Sequence, residues 1–287
     1  MVAMAAALVP TPGCLLRRET RIQPSQMPAP AREASLPELV AKLDKRSQDV
    51  NTLTATVDLQ PTAGSVYSGV IKEYQDVRGF ILAQRPANIR VLGQAPLVRT
   101  DIFDMVSNGQ EFRLNIPPLQ KFVVGKTGFR RPAKNSLENL RPQHIMEALM
   151  VPALDHSRDK WFLEEAEEAG HRYYVVDIVE PNGEWRLKRK AWFDRADLEL
   201  ARMQFYESEG VYVEDVRYAQ YQDFQGINYP AHIQVARPIE DYRLTITIQK
   251  ATFNQPIEAE KFILAQPPGT QLVDLSAPPA QEKNGGQ

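Results

Sequence analysis

The chain has 287 residues, 43% of them hydrophobic and 24% charged, and 34 Lys and Arg against 36 Asp and Glu leave a formal net charge of -2. That length suits one large domain or two small ones, with enough apolar content for a substantial core. The balanced charge argues against a nucleic-acid partner held by bulk positive charge. A single cysteine excludes a disulfide framework, and four histidines start any metal or histidine-based site from a low base. No apolar run approaches the ~18 residues of a spanning helix.

Residues 1–13 open with the apolar run Val2–Val9 and continue through Pro10, Pro12 and Gly13, the pattern of a signal-peptide remnant and its cleavage zone. Cys14 follows directly, and the arrangement resembles the lipobox of bacterial lipoproteins, in which that cysteine becomes the acylated first residue. No Lys or Arg precedes the run, and Thr11 stands where lipoboxes carry leucine. The same residues also suit an Ala/Pro-rich tail whose cysteine is incidental. Residues 14–34 are rich in proline and arginine and read as a flexible tether. Residues 276–287, polar and small, read as a disordered tail.

Residues 35–275 form the predicted folded domain. Ser35-Leu36-Pro37-Glu38 is a capping-box pattern, and Leu36, Leu39, Val40 and Leu43 recur at helical spacing, which predicts a helix over 36–48. From Leu53 the period changes to two. Strands are predicted over 53–60, 66–74, 79–84, 89–92, 99–106, 111–116 and 120–124, with Asn108-Gly109 supplying a hairpin turn. A second helix over 136–150 carries Leu140, Ile145, Met146 and Leu149, with Pro142 inside it. Strands over 171–179, 184–194, 199–206, 211–221, 227–236 and 241–253 follow as a run of hairpins. So many strands with so few crossovers predict a mainly β (α+β) protein. Its economical form is a strongly curved antiparallel sheet, an incomplete β-barrel closed by two or more helices.

One ordered set of residues is more specific. Leu43-Asp44-Lys45 ends the first helix, strand 53–60 follows, and Gly79 leads a strand that ends in Arg85-Pro86. Asn88-Ile89-Arg90, Pro96, the turn Ser107-Asn108-Gly109, Phe112 and Pro117 come next. This order, over 36–121, resembles the LolA/LolB family of bacterial lipoprotein carriers and receptors. The resemblance implies an open barrel with helices lying across it as a lid, and an apolar cavity for the acyl chains of lipoproteins. It implies a gate role for Arg85, whose side chain would hydrogen-bond to the lid and keep the empty cavity shut. Read alone, Arg85 is equally a solvated strand-end residue before a turn proline. An acylated Cys14 would favour the receptor-like branch, which anchors to the membrane through its N-terminal lipid, meets a periplasmic carrier protein, and has a protruding apolar loop. Residues 95–98 are the candidate for that loop.

Alternation supplies candidates for a cavity lining: Val70, Phe80, Leu82, Val91, Met105, Leu114, Met146, Met203 and Phe205. Any β core uses the same residue types. Catalytic signals are thin. Glu164, Glu165, Glu167 and Glu168 read as a solvated acidic surface, and Gly125-Lys126-Thr127 lacks the opening glycine of a phosphate loop. His156 beside Asp155 and Asp159 is the nearest approach to a metal corner. Arg186, Lys188 and Lys190 suit either one face of an amphipathic strand or a basic patch for anionic head groups. The sequence thus predicts a lipid- and lipoprotein-binding protein of the bacterial cell envelope, facing the periplasm at the outer membrane, with no enzymatic activity, cofactor, metal or nucleic acid. A LolA-like sensor or envelope-assembly module is the alternative.

Overall fold

The computed structural model describes residues 30–65, 70–73, 76–95, 97–127 and 141–276. Cys14, most of the tether, residues 136–140 of the predicted second helix and the tail beyond Ser276 lie outside them.

Helix α1 (Leu36–Asp49) begins where the sequence requires it, since the Ser35 backbone N–H and hydroxyl both donate to Glu38 Oε2, at 2.6 and 2.8 Å. Its Leu39, Val40 and Leu43 are buried. Fifteen strands follow in one sheet: β1 (Thr52–Ser65), β2 (Val70–Glu73), β3 (Val77–Gln84), β4 (Asn88–Gln94), β5 (Asp101–Ser107), β6 (Glu111–Ile116), β7 (Lys121–Lys126), β8 (Lys160–Glu168), β9 (His171–Asn182), β10 (Glu184–Asp194), β11 (Leu200–Tyr206), β12 (Tyr212–Phe224), β13 (Ile227–Arg237), β14 (Tyr242–Phe253) and β15 (Gln271–Asp274). Their order in space is β15-β7-β6-β5-β4-β3-β1-β14-β13-β12-β11-β10-β9-β8, with β2 paired to β1 beside this path. Among the described residues every pairing is antiparallel except β15 on β7. The two ends of the path, β15 and β8, do not pair with each other, so the curved sheet stays open.

Helix α2 (Pro142–Leu149) enters between β7 and β8 and lies against β4, β5 and β13, so it spans the concave side from one half of the sheet to the other. Pro142 stands in its first turn, where a missing N–H costs nothing, and so opens the helix rather than interrupting one. Ile145, Met146, Ala148 and Leu149 are buried against the sheet in one core with Leu39 and Leu43 of α1.

Several expectations change. The acidic stretch at 164–168 is a solvated surface as expected, but it lies on edge strand β8, which is absent from the expected strands because its largely exposed faces hide the usual apolar alternation. The region predicted as one strand over 66–74 lies partly outside the described residues. Its described part, β2, folds back on the end of β1. β15 carries no period of its own and forms by lying on β7.

Bulges at Thr56/Val57, Gly93/Gln94 and Leu187/Arg189 bend the sheet. Gly93 marks a close approach, because a Cβ there would stand 2.4 Å from Cε1 of Phe103, itself buried. Gly93→Ala is therefore expected to destabilise the fold by about 1–3 kcal/mol through a displaced Phe103 ring. A lower urea midpoint with an unchanged slope would register it.

Candidate functional site: a helix held across an open barrel

The carbonyls that close α2 have no partner within the helix, and no glycine caps it. Side chains from four separate parts of the sheet supply the missing donors. Tyr218 on β12 donates to Ala148 O at 3.1 Å, and Tyr229 on β13 donates to Leu149 O. Arg85, just past β3, donates from Nη2 to Val151 O and from Nε to Val50 O at the end of α1, both at 2.9 Å. Arg189 on β10 donates to Pro152 O at 2.8 Å and Ala153 O at 3.1 Å. Burial pushes both tyrosine hydroxyls above the ordinary phenol range, which keeps them protonated and able to donate. Burial pushes both guanidinium groups down, a cost offset by hydrogen bonds to carbonyls.

The segment after α2 is pinned further. Asp159 is fully buried, bonds Lys188 Nζ at 2.6 Å and accepts from the Asp155 N–H at 3.1 Å. His156 Nε2 lies 2.9 Å from Asp44 Oδ2 on α1. Arg46 of α1 donates to the Tyr221 hydroxyl, pairs with Glu199 at 3.2 Å, and stacks over the Tyr221 ring at 4.7 Å. Both helices are thus tied to the sheet by polar bonds at their ends in addition to the apolar faces they bury in the common core, and to each other through Arg85 and His156.

Below α2 the concave floor carries charge. Phe205 stands in register between Arg189 and Glu214. Glu214 has no solvent exposure. Its Oε2 accepts from Arg237 Nη1 at 2.9 Å, while Oε1 has no hydrogen-bond partner. Burial, with Glu147 nearby, pushes the Glu214 carboxyl up to about 8, and burial also raises Glu147 on α2.

Two hollows open beside these groups. One of about 500 Å³ is walled by Glu147, Pro152, Arg189, Phe205, Tyr206 and their neighbours, between the α2 segment and the ends of β10 and β11. The other, about 270 Å³, lies between α1 and β11–β13, against Leu43, Arg46, Phe193, Leu200, Ile227 and Tyr229.

Arg85, the gate candidate, reaches carbonyls that follow both helices, Val50 O after α1 and Val151 O after α2. Of the eight lining candidates whose side chains are described, Phe205 alone borders one of these hollows. Val91, Met105, Leu114, Met146 and Met203 are buried in the core cluster. Phe80 and Leu82 are corrected: they face away from that cluster, opposite Leu92 and Arg90, while Ile81 and Ala83 point in and pair with Val91 and Ile89. Choosing between two apolar sets one residue apart needs the register. Val70 belongs to β2 by its backbone, and its side chain is outside the described set.

Arg186, Lys188 and Lys190 are not a free basic patch, because Glu180, Asp159, and Glu164 with Asp177 pair with them in turn. Among the described residues no cluster of histidine, cysteine and acidic groups could hold a metal ion, and His156 turns to Asp44 instead. Arg189, Tyr218, Tyr229 and Glu214 were not legible as site residues. Arg189 hides in a basic run whose alternation is broken by the bulge at Leu187/Arg189.

An open antiparallel barrel with a helix laid across its concave side is the LolA-like fold. Among solved structures the chain is similar to a DUF1329 family protein from Desulfovibrio piger, with a TM-score of 0.51 and 13% identity over 78% of this chain and 94% of that one. It is similar also to a LolA superfamily protein from Nitrosomonas europaea, with a TM-score of 0.50 and 13% identity over 81% of this chain and 99% of that one. At such identity the likeness is one of fold. No family model matches the sequence, and no curated protein matches it.

Proposed function

We propose that this protein holds acyl chains of lipids or lipoproteins between its open barrel and its helices, in lipoprotein sorting or reception in the bacterial cell envelope. It acts by binding, not by catalysis. The observation that carries this reading is the polar clamp on the end of α2, in which Arg85 joins both helix ends to the sheet. An acyl chain contributes ~0.8 kcal/mol per buried CH₂, so a modest opening beneath α2 is enough to hold a lipid anchor. The clamp favours the closed, empty state, and a ligand shifts the population toward the open one. Acylation of Cys14 would fix the domain to a membrane, facing the periplasm at the outer membrane. Leu97 and Val98, exposed at the β4–β5 turn, support a receptor-like branch that meets a carrier.

Native mass spectrometry of the protein extracted from its own membrane tests the reading. Bound acyl lipid or acylated protein supports it, whereas an empty barrel with a stoichiometric protein partner would support a sensor or assembly module instead. Intact-mass analysis of the mature N-terminus tests Cys14. Arg85→Leu removes two hydrogen bonds to carbonyls, each worth about 1 kcal/mol, and so is expected to raise retained lipid about thirtyfold. Unchanged lipid occupancy in that variant removes the gate role.

A further inference from the structure

In this antiparallel path the turns alternate between two rims of the sheet. The turns β3–β4, β5–β6, β8–β9, β10–β11 and β12–β13 share the rim that α1 covers, where Arg85 and Glu199 meet it. The turns β4–β5, β6–β7, β9–β10, β11–β12 and β13–β14 share the other. At the turns, exposed large apolar side chains follow this division. Leu97 (95% exposed) with Val98, Leu119 (43%), Trp185 (63%), Val211 (44%) and Ile239 (55%) place at least one in or beside every one of the five turns of the second rim. Among the described residues, none stands in the five turns of the first. Phe162, also exposed, meets Trp185 edge-on at 6.4 Å. Leu163, Ile263 and Leu272 are exposed away from these turns, and singly exposed apolar residues are ordinary, but one at every turn of one rim and none at the turns of the other is not. The larger hollow lies near that same rim, since Tyr206 and Glu207 in its wall lead into the β11–β12 turn.

We infer that the second rim is a docking edge for a lipid bilayer, with the turn side chains entering its interface and the hollow facing it. This rests on the acyl-binding reading and adds the direction from which a chain would arrive. The spacing favours a bilayer over a protein. Successive turns on one rim are two strands, about 10 Å, apart, so their tips are separate points. A protein partner needs a contiguous, closely packed centre, whereas a fluid interface receives each tip on its own. Aromatic and aliphatic tips at the head-group level are the side chains such an interface accepts. Charges beside the tips are mixed, with Arg99, Lys121 and Arg243 against Asp101, Glu184 and Asp241, which suits a zwitterionic surface.

Flotation of the full chain carrying Cys14→Ser with phosphatidylcholine vesicles tests this without the anchor. The chain is expected to float. Trp185→Glu, Val211→Glu and Ile239→Glu should each lower its bilayer partition about tenfold, the triple variant should not float, and Gln110→Glu and Gln225→Glu on the first rim should change nothing. Thermal unfolding confirms that the variants fold. A chain that never floats, equal losses from both rims, or a dimer in sedimentation that the second-rim variants dissociate would overturn the inference. Lipid occupancy is read separately: floating chains that never carry lipid end the acyl-binding reading and leave the rim standing. Lipid-loaded chains indifferent to vesicles do the reverse.

Discussion

Arg189→Leu is expected to be the most damaging single substitution outside the apolar core, costing about 3–5 kcal/mol. The guanidinium is buried on the inner face of β10, donates to two carbonyls of the segment after α2, and lies 3.8 Å from the fully buried Asp159. Leucine restores part of the volume but leaves Pro152 O and Ala153 O without those donors and Asp159 with Lys188 as its remaining cation. For a chain of this size that corresponds to a fall in Tm of roughly 6–20 °C. Amide exchange over 148–159 should rise above that of the strands, because the clamp fails there first. A fall of a degree or two, spread evenly over the molecule, would mean that Arg189 is a replaceable core residue.

Glu214→Gln is expected to change how stability depends on pH. The ordinary carboxyl value is 4.5, and in the folded chain Glu214 is pushed up to about 8. Between those values the folded chain keeps a proton that the unfolded chain releases, so native protein binds more protons and stability falls as pH rises through the window. Below about 4.5 the contribution is complete, and above about 8 it is gone. Glutamine is close in shape and cannot ionise. The variant should match the parent near pH 5 and exceed it at pH 9, by about 2–4 °C in Tm for each kcal/mol regained. Parallel Tm profiles for the two proteins from pH 5 to 9 would show that Glu214 keeps an ordinary carboxylate. Because Glu214 lies beneath α2, the same titration should ease release of the helix at alkaline pH, seen as faster exchange at Ala148–Met150.

The helix-to-strand change near Leu53, the Asn108-Gly109 turn and the run of hairpins after His171 were legible because each signal is local. The capping box at Ser35 closes on its own Glu38, and the alternation of Leu53, Ala55, Val57 and Leu59 needs nothing beyond a sheet to lie in. β8 was illegible because an edge strand is not obliged to bury one face, and β15 because a four-residue strand depends on β7 for its existence. Phe80 and Ile81 are both apolar neighbours on one strand, and the pairing of Ile81 with Val91 decided between them.

By itself, then, the sequence determined the class of fold, the position of α1 and the hairpin order. These are consequences of spacing, capping and turn chemistry along short stretches of chain. Tertiary structure alone decided which carbonyl Arg85 reaches, that Arg189, Tyr218 and Tyr229 join it on α2, and that Glu214 is buried with an unpaired oxygen. It also decided that exposed apolar tips gather on one rim. The carbonyl bonds join residues 35 to 80 positions apart, and the rest depends on which strands pair and which way they run, and neither distance nor direction is written in local pattern.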